Sequence, residues 1–403
     1  MRKYVKIYLR FFVKNLEPYH KIKLMRILFI TYAYLFPPYW GGGTRTYNLV
    51  KHLAKKHEVY LISPFYRQFE DKKIDGHRLE LKKLGVKIFT PHPLIKIEHP
   101  FTKHINLEVV LKSMEIILTR KIDVIICDYP WSGINLLILN FFFRKPFIFH
   151  EHNVEYKIKD EIRAKYGRLM KILELILCKL AKKIVTVCEE DKKILVRELK
   201  VNPKKVVVVE NGFDKNTFHV VKKSGEKVRE KYNLKDSPII LFFGKLDYPP
   251  NKEAVYKIRW QIMPLVLEKI PNAKFLIVGK KYEFGIEHEA MIFTGLVDNI
   301  QDYINAADVV IVPLLAGGGT RIKILESIAC GKTVVSTSKG AKGLINELTK
   351  PFLKIADDWK TFSNYVVETI QNQTNKKVPK EFVERYAWQN IYKKFDKILE
   401  EVA

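Results

Sequence analysis

The stretch VPLLAGGGTRIKILESIACGKTVVST, residues 312–337, changes character three times within 26 positions. An apolar run stops at Gly317, Gly318 and Gly319. A segment with Ile322, Leu325 and Ala329 at helical spacing follows, Gly331 ends it, and a second apolar run, TVVST (333–337), begins. The hydrophobic period passes from that of a buried strand to that of a helix and back. A strand, loop, helix, strand unit of this kind is the repeating element of parallel α/β sheets.

The same alternation extends in both directions. Toward the N-terminus, MRILFIT (25–31), EVYLIS (58–63), VKIFT (86–90), DVIICD (123–128), PFIFHE (146–151), KIVTV (183–187) and KVVVVE (205–210) read as strands. The polar segment 211–238 interrupts the pattern. It then restarts with IILFFG (239–244), KFLIVG (274–279), AMIFTG (290–295), DVVIVPL (308–314), TVVST and FLKIA (352–356). Continuously apolar strands separated by helices predict sheets covered on both faces. The expected fold is therefore α/β, with two Rossmann-like, doubly wound parallel-sheet domains facing across a cleft. The expected boundaries are a basic, aromatic N-terminal extension (1–24), a first domain (25–210), a connection (211–238), a second domain (239–385) and a C-terminal helix (386–403). The sequence does not say on which domain that helix packs.

A chain of 403 residues with 47% hydrophobic residues suits two such domains. No apolar run approaches the roughly 18–20 residues that span a bilayer. The N-terminus lacks an uninterrupted apolar stretch of the signal-peptide kind. The four cysteines form no CxxC pair, which suits buried thiols in a reducing compartment. The expected location is the cytoplasm, with peripheral attachment at the inner face of the membrane left open. The net charge of +27 points to anionic partners without choosing among them. Residues 1–24 hold seven basic residues against the single acid Glu17, interleaved with Tyr4, Tyr8, Phe11 and Phe12. That composition fits an interfacial helix on an anionic membrane surface, and fits equally a helix packed on the protein itself.

Glycines allow close approach of a ligand, and the free N–H groups of a helix start attract phosphate. Arg321 and Lys323 oppose the helix dipole in that first turn, a conflict that a bound anion removes. Glu326, one to two turns in, is placed for a ribose diol. Taken alone, a simple tight turn and a solvated glutamate explain the stretch as well. A second glycine turn, PPYWGGGTRTYNL (37–49), repeats the arrangement after the first strand, with Gly42 and Gly43, Thr44 as a cap and Arg45 near the helix start. Neither stretch is a GxGxxG or GxxxxGK[ST] pattern, which weakens dinucleotide and P-loop readings.

With HNVE (152–155), NGFDKNTF (211–218), LFFGKLDYPPNKEAV (241–255), IPNAKFLIVG (270–279) and FTGLVDNIQDYINAADVVIVPL (293–314) in this order, the chain resembles the retaining glycosyltransferases of family 4, which have the GT-B fold. The resemblance implies transfer of a hexosyl group from a nucleotide sugar to a saccharide or lipid-linked acceptor. It puts Glu326 on the ribose and Lys245 on the donor phosphates. It puts His152 beside the reacting sugar, with His150 a strand residue. Gly42, Gly43, Gly318, Gly319, Thr320, Arg321 and Lys323 complete the implied donor cradle, with Arg321 assisting catalysis alongside Lys245 and His152. The family's first glutamate, eight positions before Glu326, falls on Gly318, which implies altered sugar contacts. No DxD occurs, so no metal or other cofactor is expected. Two rivals remain: a sugar-nucleotide epimerase or non-catalytic binder of the same fold, and a nucleic-acid binder, for which the basic and aromatic signature outside residues 1–24 is missing.

Overall fold

A computed structural model of the chain describes residues 24–63 except positions 34 and 39, and residues 72–91, 105–161, 166–280, 285–372 and 376–402. The N-terminal extension except Leu24 lies outside the described residues, as do most of loops 65–76 and 91–105. Each run read as a strand is one. The first sheet joins β1 (Arg26–Thr31), β2 (Glu58–Ile62), β3 (Lys87–Phe89), β4 (Val124–Asp128), β5 (Phe147–His150), β6 (Lys183–Thr186) and β7 (Val206–Val208) in the order β3-β2-β1-β4-β5-β6-β7. The second joins β8 (Ile239–Phe243), β9 (Lys274–Val278), β10 (Met291–Gly295), β11 (Val309–Val312), β12 (Val334–Ser336) and β13 (Leu353–Ile355) in the order β10-β9-β8-β11-β12-β13. All paired strands are parallel.

Both faces of each sheet are covered, which is why the strands read as unbroken apolar runs. In β1, Ile27 and Phe29 enter one core while Leu28 and Ile30 enter the other. Strand order reverses between β1 and β4 in the first sheet and between β8 and β11 in the second. Such reversals open a crevice at the carboxyl ends of the strands. Thr31 and Asp128, the last residues of β1 and β4, are paired in register there.

The chain passes between the domains twice, and the two passages are bonded together. Phe213 N–H donates to the Tyr386 carbonyl at 2.9 Å and Trp388 N–H to the Phe213 carbonyl at 3.1 Å. Segment 211–238 is more than a connection: its helix Lys222–Lys231 packs on the helix Ile300–Ala306, and Arg229 meets Asp308 at 2.7 Å. The last helix, Trp388–Val402, returns to the first domain. Its Ile391, Phe395 and Leu399 join the core containing Ile27 and Leu49. Asp396 takes His52 at 2.9 Å and Lys56 at 2.6 Å. Burying each such large side chain stabilises the arrangement by roughly 1.5–3 kcal/mol.

One expectation is corrected. Gly41, Gly42 and Gly43 are not a turn before the first helix; they are its first turn, within Gly41–Leu53. Trp40 is the cap residue, Thr44 lies inside the helix, and the Thr44 N–H donates to the Trp40 carbonyl at 2.9 Å. Glycine is needed there for space. A Cβ on Gly42 would lie 1.7 Å from the Tyr129 hydroxyl. All four cysteines are buried thiols. Among the described residues no helix is long and apolar enough to cross a membrane.

Candidate active site

Asp128, at the end of β4 and wholly buried, is the hub of the first domain's side of the cleft. One carboxylate oxygen accepts from the hydroxyls of Thr31 at 2.6 Å and Thr46 at 2.8 Å. The other meets His150 Nδ1 at 2.7 Å and His152 Nε2 at 2.6 Å. Burial would raise the Asp128 pKa, but the two imidazoles outweigh it and hold the carboxyl well below the usual range.

Arg45 fixes the tautomer of His150. Its Nε donates to His150 Nε2 at 2.9 Å, so the imidazole proton sits on Nδ1 and is donated to Asp128. The guanidinium is wholly buried and directs its remaining N–H groups to the carbonyls of Val209 and Glu210, both at 2.7 Å, and to Asn211 Oδ1 at 3.0 Å. Burial, with Arg45 close by, pushes His150 down to about 3, and burial also lowers His152. Both imidazoles are neutral. Tyr129, at φ +67°, stacks on His152 with ring centroids 4.0 Å apart.

Asp128, His150 and His152 bring three potential metal-ligating atoms within 4.8 Å of one another. Their chemistry fits a closed hydrogen-bond cluster better than a cation site. Each imidazole directs its N–H at the carboxylate, and the Arg45 guanidinium stands behind His150 where a divalent cation would be repelled.

The turn after β5 meets the glycine loop of the second domain. Gly317 and Gly319 adopt φ of +104° and +64°, conformations that favour glycine. A Cβ on Gly319 would lie 2.7 Å from the His152 carbonyl; one on Gly318 would lie 2.9 Å from Asn153 Cβ and 2.5 Å from Ile158 Cδ1. The position that carries the family's first glutamate is thus filled by backbone pressed against the opposite domain. Asn211 ties the same junction, donating to Thr320 Oγ1 at 2.8 Å while accepting from Arg45. Beyond the turn, Glu174 accepts the N–H groups of Glu155 at 2.6 Å and Tyr156 at 3.0 Å and so anchors the helix Glu155–Glu161. Burial pushes the Glu174 carboxyl up to about 8 and raises Glu151 beside it.

The cations take less direct positions than the sequence implied. Arg321 caps the helix Ile322–Ala329 and folds back on its own loop, donating to the carbonyls of Gly318 and, at 3.3 Å each, Gly319 and Ala316. Lys323 lies half-buried beneath Gly244, donating to the Phe243 carbonyl at the end of β8 and standing 3.4 Å from Asn251 Oδ1. Burial, then Arg321, lower its ammonium to about 7. Glu326 is buried on the same helix, and burial raises it to about 7 against the opposing charge of Lys323. Lys245 is more than half exposed, with Asp247 at 3.7 Å. The junction thus gathers His152, Gly318, Gly319 and Thr320, with Gly42 against the Tyr129 that stacks on His152, Lys323 about one helix turn on and Glu326 nearly two. The sequence reading missed Asp128, Thr46 and Tyr129. The one available signal was an acid and an aromatic closing an otherwise apolar strand, DVIICDY.

Residues 40–217 match the family model for Glycosyltransferase Family 4, and residues 237–372 match that for Glycosyl transferases group 1. The chain belongs to glycosyltransferase family 4. Its fold is GT-B. The chain is 27% identical over 244 residues to UDP-Gal:alpha-D-GlcNAc-diphosphoundecaprenol alpha-1,3-galactosyltransferase of Escherichia coli. That match covers 57% of this chain and 62% of the relative, less than two thirds of its length. An uncharacterized glycosyltransferase of Methanocaldococcus jannaschii, MJ1069, is 22% identical over 94% of this chain and 98% of its own. Among solved structures, Anabaena Alr3699/HepE in complex with UDP-glucose superposes with a TM-score of 0.71 at 18% identity, covering 93% of this chain and 99% of that one. Sucrose-phosphate synthase from Thermosynechococcus elongatus gives 0.73 at 17% identity, covering 94% and 98%.

Proposed function

We propose that this glycosyltransferase moves a hexose from a UDP-sugar to a hydroxyl of a saccharide or lipid-linked saccharide, with retention of the anomeric configuration and without a metal. The observation that carries the reading is the contact of the Gly318–Gly319 backbone with the His152–Asn153 turn, which joins the two motifs of the family in one junction. The UDP-glucose complex of HepE and the UDP-galactose donor and diphosphoundecaprenol acceptor named for the E. coli relative support the donor and acceptor classes.

In this mechanism the bond from the anomeric carbon to the diphosphate oxygen breaks, and the acceptor oxygen bonds to the same face of the sugar. The acceptor's proton passes to the departing phosphate oxygen. Negative charge grows on that diphosphate, and Arg321, freed from its own loop carbonyls, with Lys245 and the glycine N–H groups, stabilises it. His152, held neutral and oriented by Asp128, positions the sugar. Glu326 accepts from the ribose diol. Protein cations thus take the place a bridging metal would occupy, and UDP release in the presence of EDTA tests this. Undiminished turnover is expected; loss of turnover that manganese restores contradicts it. Replacing Arg321 by alanine is expected to lower kcat by about a hundred- to thousandfold, the usual effect of one lost transition-state donor. The absence of a carboxylate at Gly318 favours one second reading, an epimerase or a binder, for which donor binding would persist without transfer to any acceptor.

A further inference from the structure

Three helices cover one face of the first sheet side by side: Leu107–Arg120, Pro130–Phe143 and Gly167–Leu180. Each buries one stripe against the sheet, as expected, and each shows a second apolar stripe outward. Leu111 and Leu118 are 53% and 68% exposed, Phe141 and Phe142 79% and 61%, and Ile172 and Leu180 53% and 49%. The central helix contains no charged residue in its 14 positions. A helix apolar on both sides has its outer side covered by something. Adjacent outward stripes on three packed helices exceed the scattered apolar residues normal on a soluble surface.

The three helices connect strands of one parallel sheet, so their C-terminal ends share one end of the domain. Arg120, Lys121, Arg144, Lys179 and Lys182 stand there exposed, beside the 67% exposed Leu24. Exposed acid on these helices is limited, among the described residues, to Glu115; Glu108 is half-buried and Glu174 is wholly buried. A second copy docked by a two-fold axis running parallel to the helices would set these cations against their own counterparts, and one docked with the helices antiparallel would leave them facing no acidic cluster on this face. An anionic, apolar partner is complementary to the face.

We propose that this face docks on an anionic phospholipid bilayer. Phe141, Phe142, Leu118 and Ile172 enter the acyl boundary while the cations at the helix ends meet lipid phosphates. The face also reaches Leu107, which opens the first of these helices at the opposite end, the end of the domain that holds the cleft. A domain lying on this side therefore brings the cleft edge to the membrane. The proposal does not depend on the identity of the donor.

The test is co-sedimentation of the full-length protein with vesicles of phosphatidylcholine alone or mixed with phosphatidylglycerol. Three proteins are compared: wild type, Phe141→Asp/Phe142→Asp and Arg144→Glu/Lys182→Glu. The substituted side chains lie at the surface, and unchanged thermal midpoints confirm folding. Wild type is expected to pellet with the anionic vesicles and to be released by salt. The aromatic variant should bind at least about tenfold more weakly, and the charge variant about fivefold more weakly for each cation removed. Equal pelleting of all three proteins overturns the proposal, because the affinity then belongs elsewhere in the chain. So does failure of wild type to bind. A size-exclusion shift from dimer to monomer in the aromatic variant, with vesicle binding unchanged, likewise overturns it and makes the face a self-association surface.

Discussion

Asp128 was the least legible residue of the site, because one acid at the end of an apolar strand has no spacing to betray it. Its importance comes from four donors supplied by β1, the first helix, β5 and the turn after β5, which only the fold assembles. Replacing it by asparagine leaves an amide N–H₂ facing at least one pair of donors. A loss of about 2–3 kcal/mol in urea unfolding is expected, with kcat reduced through misorientation of His152. The titration of the cluster has a definite sign. Asp128 and His150 have folded pKa values depressed below their unfolded ones. Their contribution is therefore complete above the unfolded His value near 6.5, and it is lost as pH falls toward about 3 and, for Asp128, below its unfolded value near 3.9. Donor affinity should follow another profile. In the proposed donor site, Glu326 is ionised to accept from a diol only above about 7 and Lys323 stays charged only below about 7. Affinity measured by calorimetry should therefore peak near neutrality, and Glu326→Gln should abolish the acid limb alone.

The central strands were readable because both their faces are buried, as in β4, β8 and β11, while the edge strands β3 and β10 are only partly buried and were legible from their short apolar runs. The first helix was misread at its start, since three glycines ordinarily signal a turn. Here the helix begins with them, and Gly42 gives it room to approach Tyr129. The 317–319 glycines were read as letting the backbone approach a ligand; in the fold the surface that Gly318 and Gly319 approach is the opposite domain. That distinction yields a test. Gly318→Glu, which restores the family's usual residue, would set a Cβ 2.9 Å from Asn153 Cβ. Overpacking of this kind costs about 1–3 kcal/mol, so the thermal midpoint and the donor affinity should both fall. A gain in either would mean that the loop and the turn stand apart.

The two domains are joined by contacts that no single stretch of sequence announces. The passages at Phe213 and Ala387 pair with each other, Lys342 reaches Asp191 at 2.7 Å, and Asn211 links Arg45 to Thr320. The C-terminal helix was foreseen, but its destination was not, because its apolar stripe would suit either domain. Gly212→Ala tests the double passage: its Cβ would lie 2.4 Å from the Tyr386 carbonyl, backbone that has little room to yield. A cooperative loss of about 1–3 kcal/mol is expected in urea unfolding. The charge of +27 was legible only as a sum; the fold shows that part of it gathers at one end of an apolar face. Whether the cleft binds a nucleotide sugar is decided by a thermal-shift panel of UDP, GDP, ADP and their sugar conjugates on wild type and Glu326→Ala. UDP or a UDP-sugar at a hundred times its Kd should stabilise wild type by about 2.7 kcal/mol and the variant far less. No shift with any nucleotide, or an equal shift in both proteins, would contradict the account.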